Sequence, residues 1–240
     1  MSTRPELKLR TLAPAQHTAA RVAGFSYLFT LASANFAEFY ARSRLIVDAD
    51  AVQTVRNVAA HERLFRLGTV SDLITFAAVV VLVLSLYVVL EPINRNLALL
   101  AAFWRLAECA IFAVIMLNDF AVLQLLSDAD YSRAFDTLQL SALARLFISL
   151  HGVGYLIALV FFGLGSTVFA YLWFKSGYIP RALAALGIFS SLLVAIISLA
   201  IMVYPSLTAV VLPAMAPIGI FELTLGLWLL VRGVHAPILE

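Results

Sequence analysis

From Ala182 to Val203 no side chain carries a charge, and the same holds from Leu73 to Leu90. About 20 consecutive apolar residues suffice to cross the hydrocarbon core of a bilayer as a helix. Lipid offers the backbone no hydrogen-bond partners, so such runs must satisfy their own N–H and C=O groups. The pattern recurs along the chain. Spans are expected over about residues 18–42, 69–90, 97–126, 140–175, 180–203 and 207–232. Composition agrees: 63% of residues are hydrophobic and 12% charged, with mean hydropathy +0.99, where a soluble domain averages about 25% charged. The expected fold class is all-α, an integral membrane bundle of six transmembrane helices. It forms one domain over residues 18–233, between a polar tail at 1–17 and a short tail at 234–240.

Between the first two runs the segment Asp48 to Arg66 is polar, with Ala51, Val55, Val58, Ala59 and Phe65 near one face. It reads as a short amphipathic helix on the membrane surface, capped by Asp48 or Asp50. The fourth run is too long for one span, so its start near Leu138 to Phe147 should project into water, or the helix should break near Gly152 and Gly154. Pro213 and Pro217 should kink the sixth. Ala32-Ser33-Ala34 resembles a signal-peptidase site, but the apolar character continues through Phe36 and Phe39, which favours a retained first helix. The N-terminal basic cluster places both termini in the cytoplasm. Trp104, Trp173 and Trp228 should then mark the inner headgroup level. A net charge of +2 without a basic aromatic patch argues against nucleic acid. The lone Cys109 lies in an apolar run and reads as packing.

The function must be sought among ionisable residues within the spans, since each costs about 2.5–3.5 kcal/mol at mid-helix and normally faces the interior. Glu38 and Arg42 lie one turn apart in the first run. Asp72 opens the second, Arg105, Glu108 and Asp119 share a face of the third, Arg145 and His151 lie in the fourth, and Glu222 in the sixth. If the surface helix continues through Gly68, then His61, Phe65, Gly68 and Asp72 form one face beside a Glu62–Arg66 pair. The expected binding pocket therefore draws on Glu38, His61, Glu62, Arg66, Asp72, Arg105, Glu108, Asp119, Arg145, His151 and Glu222.

Several readings of these charges stay open. A balanced salt-bridge lattice would only fix helix register. A polar pocket in the outer half would bind or sense a small amphiphile or lipid. A metal-dependent hydrolase or lipid-modifying enzyme would hold its ion on Asp72, His61 and His151, with Glu38 or Asp119 as base. A proton-coupled transporter of small solutes would carry protons on Glu108 and Glu222. No H-E-x-x-H spacing and no nucleophile arrangement occurs, and the G-x-G in "FFGLGS" reads as helix packing. No cofactor and no catalytic residue is assigned. The lipid bilayer is the partner expected, and a homo-oligomer is compatible with the pattern.

Three segments, "AHERLFRLGTVSDL", "NRNLALLAAFWRLAECAI" and "LHGVGYLIALVFFGLGSTVFAYLWFKSGYIPRAL", resemble a bacterial multi-pass membrane family, the domain of unknown function 4386. Arg66, Asp72, Arg105, Glu108, His151 and Gly152 carry the likeness, with the loop around Tyr178, Pro180 and Arg181. It extends from about Arg21 to Gly233. The resemblance implies an integral membrane protein and brings no substrate, cofactor or catalytic residue with it.

Overall fold

The computed structural model describes residues 13–47, 50–127, 129–208 and 212–235. The long elements are α1 (Pro14–Asn35), α2 (Ala51–Ala60), α3 (Glu62–Leu90), α4 (Arg95–Ser127), α5 (Ala129–Ala134), α6 (Thr137–Ser176), α7 (Arg181–Val203) and α8 (Ala216–Val231). A seven-residue π-helix, Phe36–Arg42, prolongs α1 and is followed by one α-turn, Ser43–Leu45. No strand occurs among the described residues.

Five segments are long and apolar enough to cross a membrane: Glu62–Leu90, Arg95–Ser127, Thr137–Ser176, Arg181–Val203 and Pro213–Val231. Large apolar side chains such as Leu84, Val114, Leu117, Phe189 and Ile220 point outward from them. Outward apolar surface of this extent is unusual for a soluble monomer. The chain is accordingly a multi-pass membrane protein. α1 is not among the five, because Arg21 and a sprinkling of Ser, Thr and Asn dilute its apolar character.

The helices form a closed ring. α1 packs on α3, α3 on α4, α4 on α6, α6 on α7, α7 on α8, and α8 returns to α1. The start of α1 and the end of α8 lie at one end of this ring, the terminal end; α2 and α5 lie at the other, the cap end. α1 runs antiparallel to α3 and is tied to it twice. Gln16 Nε2 donates to the Val89 carbonyl at 3.0 Å near the terminal end. The Ser33 and Ser71 hydroxyls meet at 2.8 Å near the cap end. Gly24 lets α1 and α8 touch backbone to backbone, since a Cβ there would stand 2.5 Å from Leu230 N and 2.8 Å from Gly226 O. Small residues commonly serve such contacts between membrane helices.

Apolar packing falls into three stacked groups. The largest, at the terminal end, includes Leu86, Val89, Phe169, Leu172, Trp173 and Leu225. Trp173 is thus a core side chain and not a headgroup anchor. Phe112, Ile115, Met116 and Ala158 form the middle group. Leu45, Val58, Phe65, Val122, Leu123, Leu125 and Ala144 form the third, under the cap.

Local details differ from expectation in ways the geometry explains. α2 is capped by Asp50, whose carboxylate accepts from Gln53 N–H at 2.8 Å; Asp48 lies outside the described residues. The buried side of α2, Thr54 and Val58, is covered by protein. α6 runs unbroken for 40 residues through Gly152 and Gly154, from a capping box of Asp136 and Gln139 to Gly177. Gly177 stops it with φ 65°, the left-handed conformation that glycine adopts without a Cβ clash. Pro213 falls in a 3-10 stretch, Leu212–Met215, and Pro217 in the first turn of α8. A proline in the first turn removes no helical hydrogen bond, so the prolines start the last helix and do not kink it.

Candidate functional site

Two polar layers cross the interior of the ring. The first lies toward the cap end, between the middle and cap apolar groups, and Arg42 is its centre. The π-helix carries the arginine inward: Ala37, Ala41 and Arg42 are buried, and the Ser43 N–H reaches back to the Glu38 carbonyl. π-helical turns are rare and frequently occur at functional sites.

The Arg42 guanidinium meets three carboxylates on three elements. Its Nη2 and Nη1 fork onto Asp119 Oδ2 and Oδ1 of α4 at 2.5 and 3.3 Å. The same Nη2 lies 3.2 Å from Asp72 Oδ2 of α3, and Nε lies 3.2 Å from Glu38 Oε1. His151 of α6 closes the ring, with Nδ1 3.2 Å from Asp119 Oδ1 and Nε2 3.9 Å from Glu38 Oε1. Neither imidazole nitrogen is aligned for a hydrogen bond in this arrangement, and the Arg42 Nε–H is also off-line. Thr69 Oγ1 adds a contact of 3.4 Å to Asp119 Oδ2. Asp119 is 1% exposed at its side chain, Asp72 7% and His151 8%, whereas Glu38 is 32% exposed, on the π-helix that also carries the outward-facing Phe36, Phe39 and Tyr40.

This layer is acid-rich. One guanidinium faces three carboxylates, with a histidine beside them. Along α3, Asp72 stands about 27 Å from Leu90, so the layer falls near the boundary of a hydrocarbon core about 30 Å thick.

The second layer lies near mid-membrane. Arg105 Nη1 contacts Glu108 Oε2 at 2.8 Å, one turn along α4, and both side chains are buried. The guanidinium also lies 4.4 Å from the centre of the Phe162 ring and 3.5 Å from Ser166 Oγ of α6. Glu222 of α8 is half-buried and within Coulombic reach of Arg105. Between the layers stands Tyr155, stacked near His151 at 6.5 Å between ring centres and edge-on to Phe112 at 5.2 Å.

Glu38, Asp72, Asp119 and His151, all singled out in the sequence, thus meet in one layer; Arg105, Glu108 and Glu222 occupy the other. The remaining four stand apart. His61 is exposed at the junction between α2 and α3, where its backbone (φ −127°, ψ 41°) breaks the helix. It lies eleven residues, about 16 Å of helix, from Asp72. Glu62 and Arg66 pair with each other at 2.7 Å on the surface. Arg145 Nη1 reaches the Val47 carbonyl at 3.4 Å. Arg42 and Thr69 join the layer without having been placed in the expected pocket. The Glu38–Arg42 spacing is the signal that points to Arg42, but it reads equally as a local surface pair.

Among the described residues no group of three His, Cys, Asp or Glu side chains is arranged to hold a metal ion. In the cap-end layer the Arg42 guanidinium itself fills the point on which the carboxylates converge.

The family model described as "Domain of unknown function (DUF4386)" matches residues 22–233. No curated protein and no solved structure matches the chain. With a match that takes in every side chain of both layers, the chain belongs to the DUF4386 family.

Proposed function

We propose that the protein is a membrane-embedded binding or sensing module whose ligand is a small amphiphile with a cationic head, received at the cap-end layer. The observation that carries this reading is the charge imbalance around Arg42: Glu38, Asp72 and Asp119 share one guanidinium in a largely dry setting. A buried carboxylate without a full counter-charge is strongly disfavoured. An ammonium or guanidinium head entering beside Glu38 would supply the missing charge. Phe36, Phe39 and Tyr40, exposed on the same π-helix as Glu38, offer apolar and aromatic surface for its tail. Asp72, Asp119 and His151 are the deeper contacts.

The binding reading includes six crossings in a bacterial inner membrane, both termini cytoplasmic. The polar ties Gln16–Val89 and Ser33–Ser71 support α1 as the sixth, because they are separated by 17 residues, about 25 Å, along α1.

The test is thermal stability of the purified protein with a long-chain primary amine below its micellar concentration. The amine is expected to raise the midpoint of the wild type. Glu38→Gln and Asp72→Asn should abolish the rise while the ligand-free midpoints stay near or above that of the wild type, as for charges held against stability. No rise in the wild type, or an equal rise in both variants, would sink the reading. A sharp fall in both ligand-free midpoints would favour the register lattice instead.

A second reading draws on Tyr155. Its ring stands between the layers, 6.5 Å from that of His151 and 5.2 Å from that of Phe112. A proton-coupled transporter would use Glu108 and Glu222 as carriers, and solute flux in vesicles that survives Glu108→Gln with Glu222→Gln would remove it. The metal-hydrolase reading is not favoured, since His61 is remote from Asp72 and Arg42 occupies the carboxylate centre.

A further inference from the structure

A cleft of about 470 Å³ opens at the terminal end, between the start of α1 and the end of α8. His17, Thr18, Arg21 and Val22 line it from α1, and Arg232 and Gly233 from α8. Its charge is of one sign. Among the described residues, no carboxylate lies within ion-pair distance of Arg21 or Arg232, whereas the buried Arg42 and Arg105 are paired. The Arg232 guanidinium lies over the Trp228 ring, 5.7 Å from its centre.

The depth of the cleft follows from two marks. Arg232 is the first residue after the apolar segment Pro213–Val231. Tryptophan is enriched at the headgroup level, and arginine near a helix end reaches the same level. The walls are fixed, because the Gly24–Gly226 backbone contact locks α1 to α8 one turn inside Arg21. Beyond the cleft, toward the membrane interior, Val22, Phe25 and Phe29 continue outward along α1, with Phe25 60% exposed and stacked on Phe29.

We propose that this cleft binds the headgroup of an anionic phospholipid. Arg21 and Arg232 grip the phosphate oxygens from two helices, which suits the forked geometry of guanidinium on phosphate. The acyl chains lie along Val22, Phe25 and Phe29. That apolar track is what favours a lipid over free phosphate. A zwitterionic lipid is disfavoured because, among the described residues, the cleft presents no carboxylate to its ammonium. The assignment is independent of the amphiphile reading, which concerns the opposite end of the bundle.

The test is native mass spectrometry of the full chain released from detergent containing phosphatidylglycerol or phosphatidylcholine. One phosphatidylglycerol should be retained by the wild type, and phosphatidylcholine only weakly. Arg21→Gln and Arg232→Gln should each lower retention about fivefold, the worth of one basic side chain near an anionic surface. Arg181→Gln, at the same end but outside the cleft, should leave it unchanged. Equal loss with Arg181→Gln would mean diffuse surface attraction and overturn the proposal. So would displacement of the lipid by millimolar inorganic phosphate, or unchanged retention in the cleft variants. If a glutamine variant fails to fold, Arg232→Lys asks the same question, since it keeps the charge and loses the fork. A drop of roughly two- to threefold is expected, and full retention would overturn the forked contact.

Discussion

Replacing Arg42 by Met leaves Glu38, Asp72 and Asp119 facing one another with no cation between them. Removing one partner of a buried ion pair typically costs 3–5 kcal/mol. Unfolding of Arg42→Met in mixed micelles should therefore show a loss of about that size. Arg42→Lys should recover only part of it, because an ammonium cannot reproduce the fork onto both oxygens of Asp119. His61→Ala, at an exposed helix junction, should change stability by less than about 0.5 kcal/mol. The contrast between these side chains shows what single residues reveal from sequence. Asp72, Asp119 and His151 are legible because an ionisable group in an apolar run has few places to go but inward. Arg42 is half-legible: its depth puts it within reach of the acids, as it does Arg66 and Arg145, but nothing in a sequence marks the i→i+5 winding that turns Arg42 inward onto all three. His61 misleads for a related reason. Its place on the face of Asp72 assumes a continuous helix, and the backbone breaks at that very residue.

At the scale of the elements, the joint between α1 and α8 is the most exacting contact in the ring. A side chain at position 24 must push on Leu230 and Gly226 backbone atoms, which cannot rotate away. Gly24→Val is expected to destabilise the bundle by about 1–3 kcal/mol, the usual range for overpacking. The same substitution should weaken phosphatidylglycerol retention, because the joint holds the two arginine-bearing helices together. Ala195→Val, on a different joint, serves as the comparison for stability alone. Helix existence and approximate bounds were readable from the apolar runs. What each run does at its ends was not: whether α6 breaks at its glycines or projects past the membrane depends on its neighbours, and α4 follows it along much of its length. The prolines of the last run illustrate the same limit, since a proline that starts a helix and one that bends it differ only in where the preceding turn begins.

For the whole molecule, the number of crossings decides whether the two ends of the chain share a compartment. Six crossings place them together; five place them on opposite sides. In a Cys109→Ser background, Ala60→Cys at the cap end and Arg181→Cys at the terminal end should label from opposite faces of sealed vesicles. Tags on the N- and C-termini should both report the face of Arg181→Cys. An N-terminal tag on the face of Ala60→Cys, with the C-terminal tag on the other, would remove α1 as a span.

α6 is the longest element and runs from the cap to the terminal end without interruption. Forty residues of α-helix make a rod of about 60 Å, twice the hydrocarbon thickness. A rod without a hinge acts as a lever. Tilting it by about 5° about its middle moves each tip by roughly 2–3 Å. His151 sits partway along that lever, against the carboxylates of the cap-end layer. Any event that displaces His151 sideways must therefore be felt at Ser176, on the far face of the membrane, without a single backbone torsion having to change.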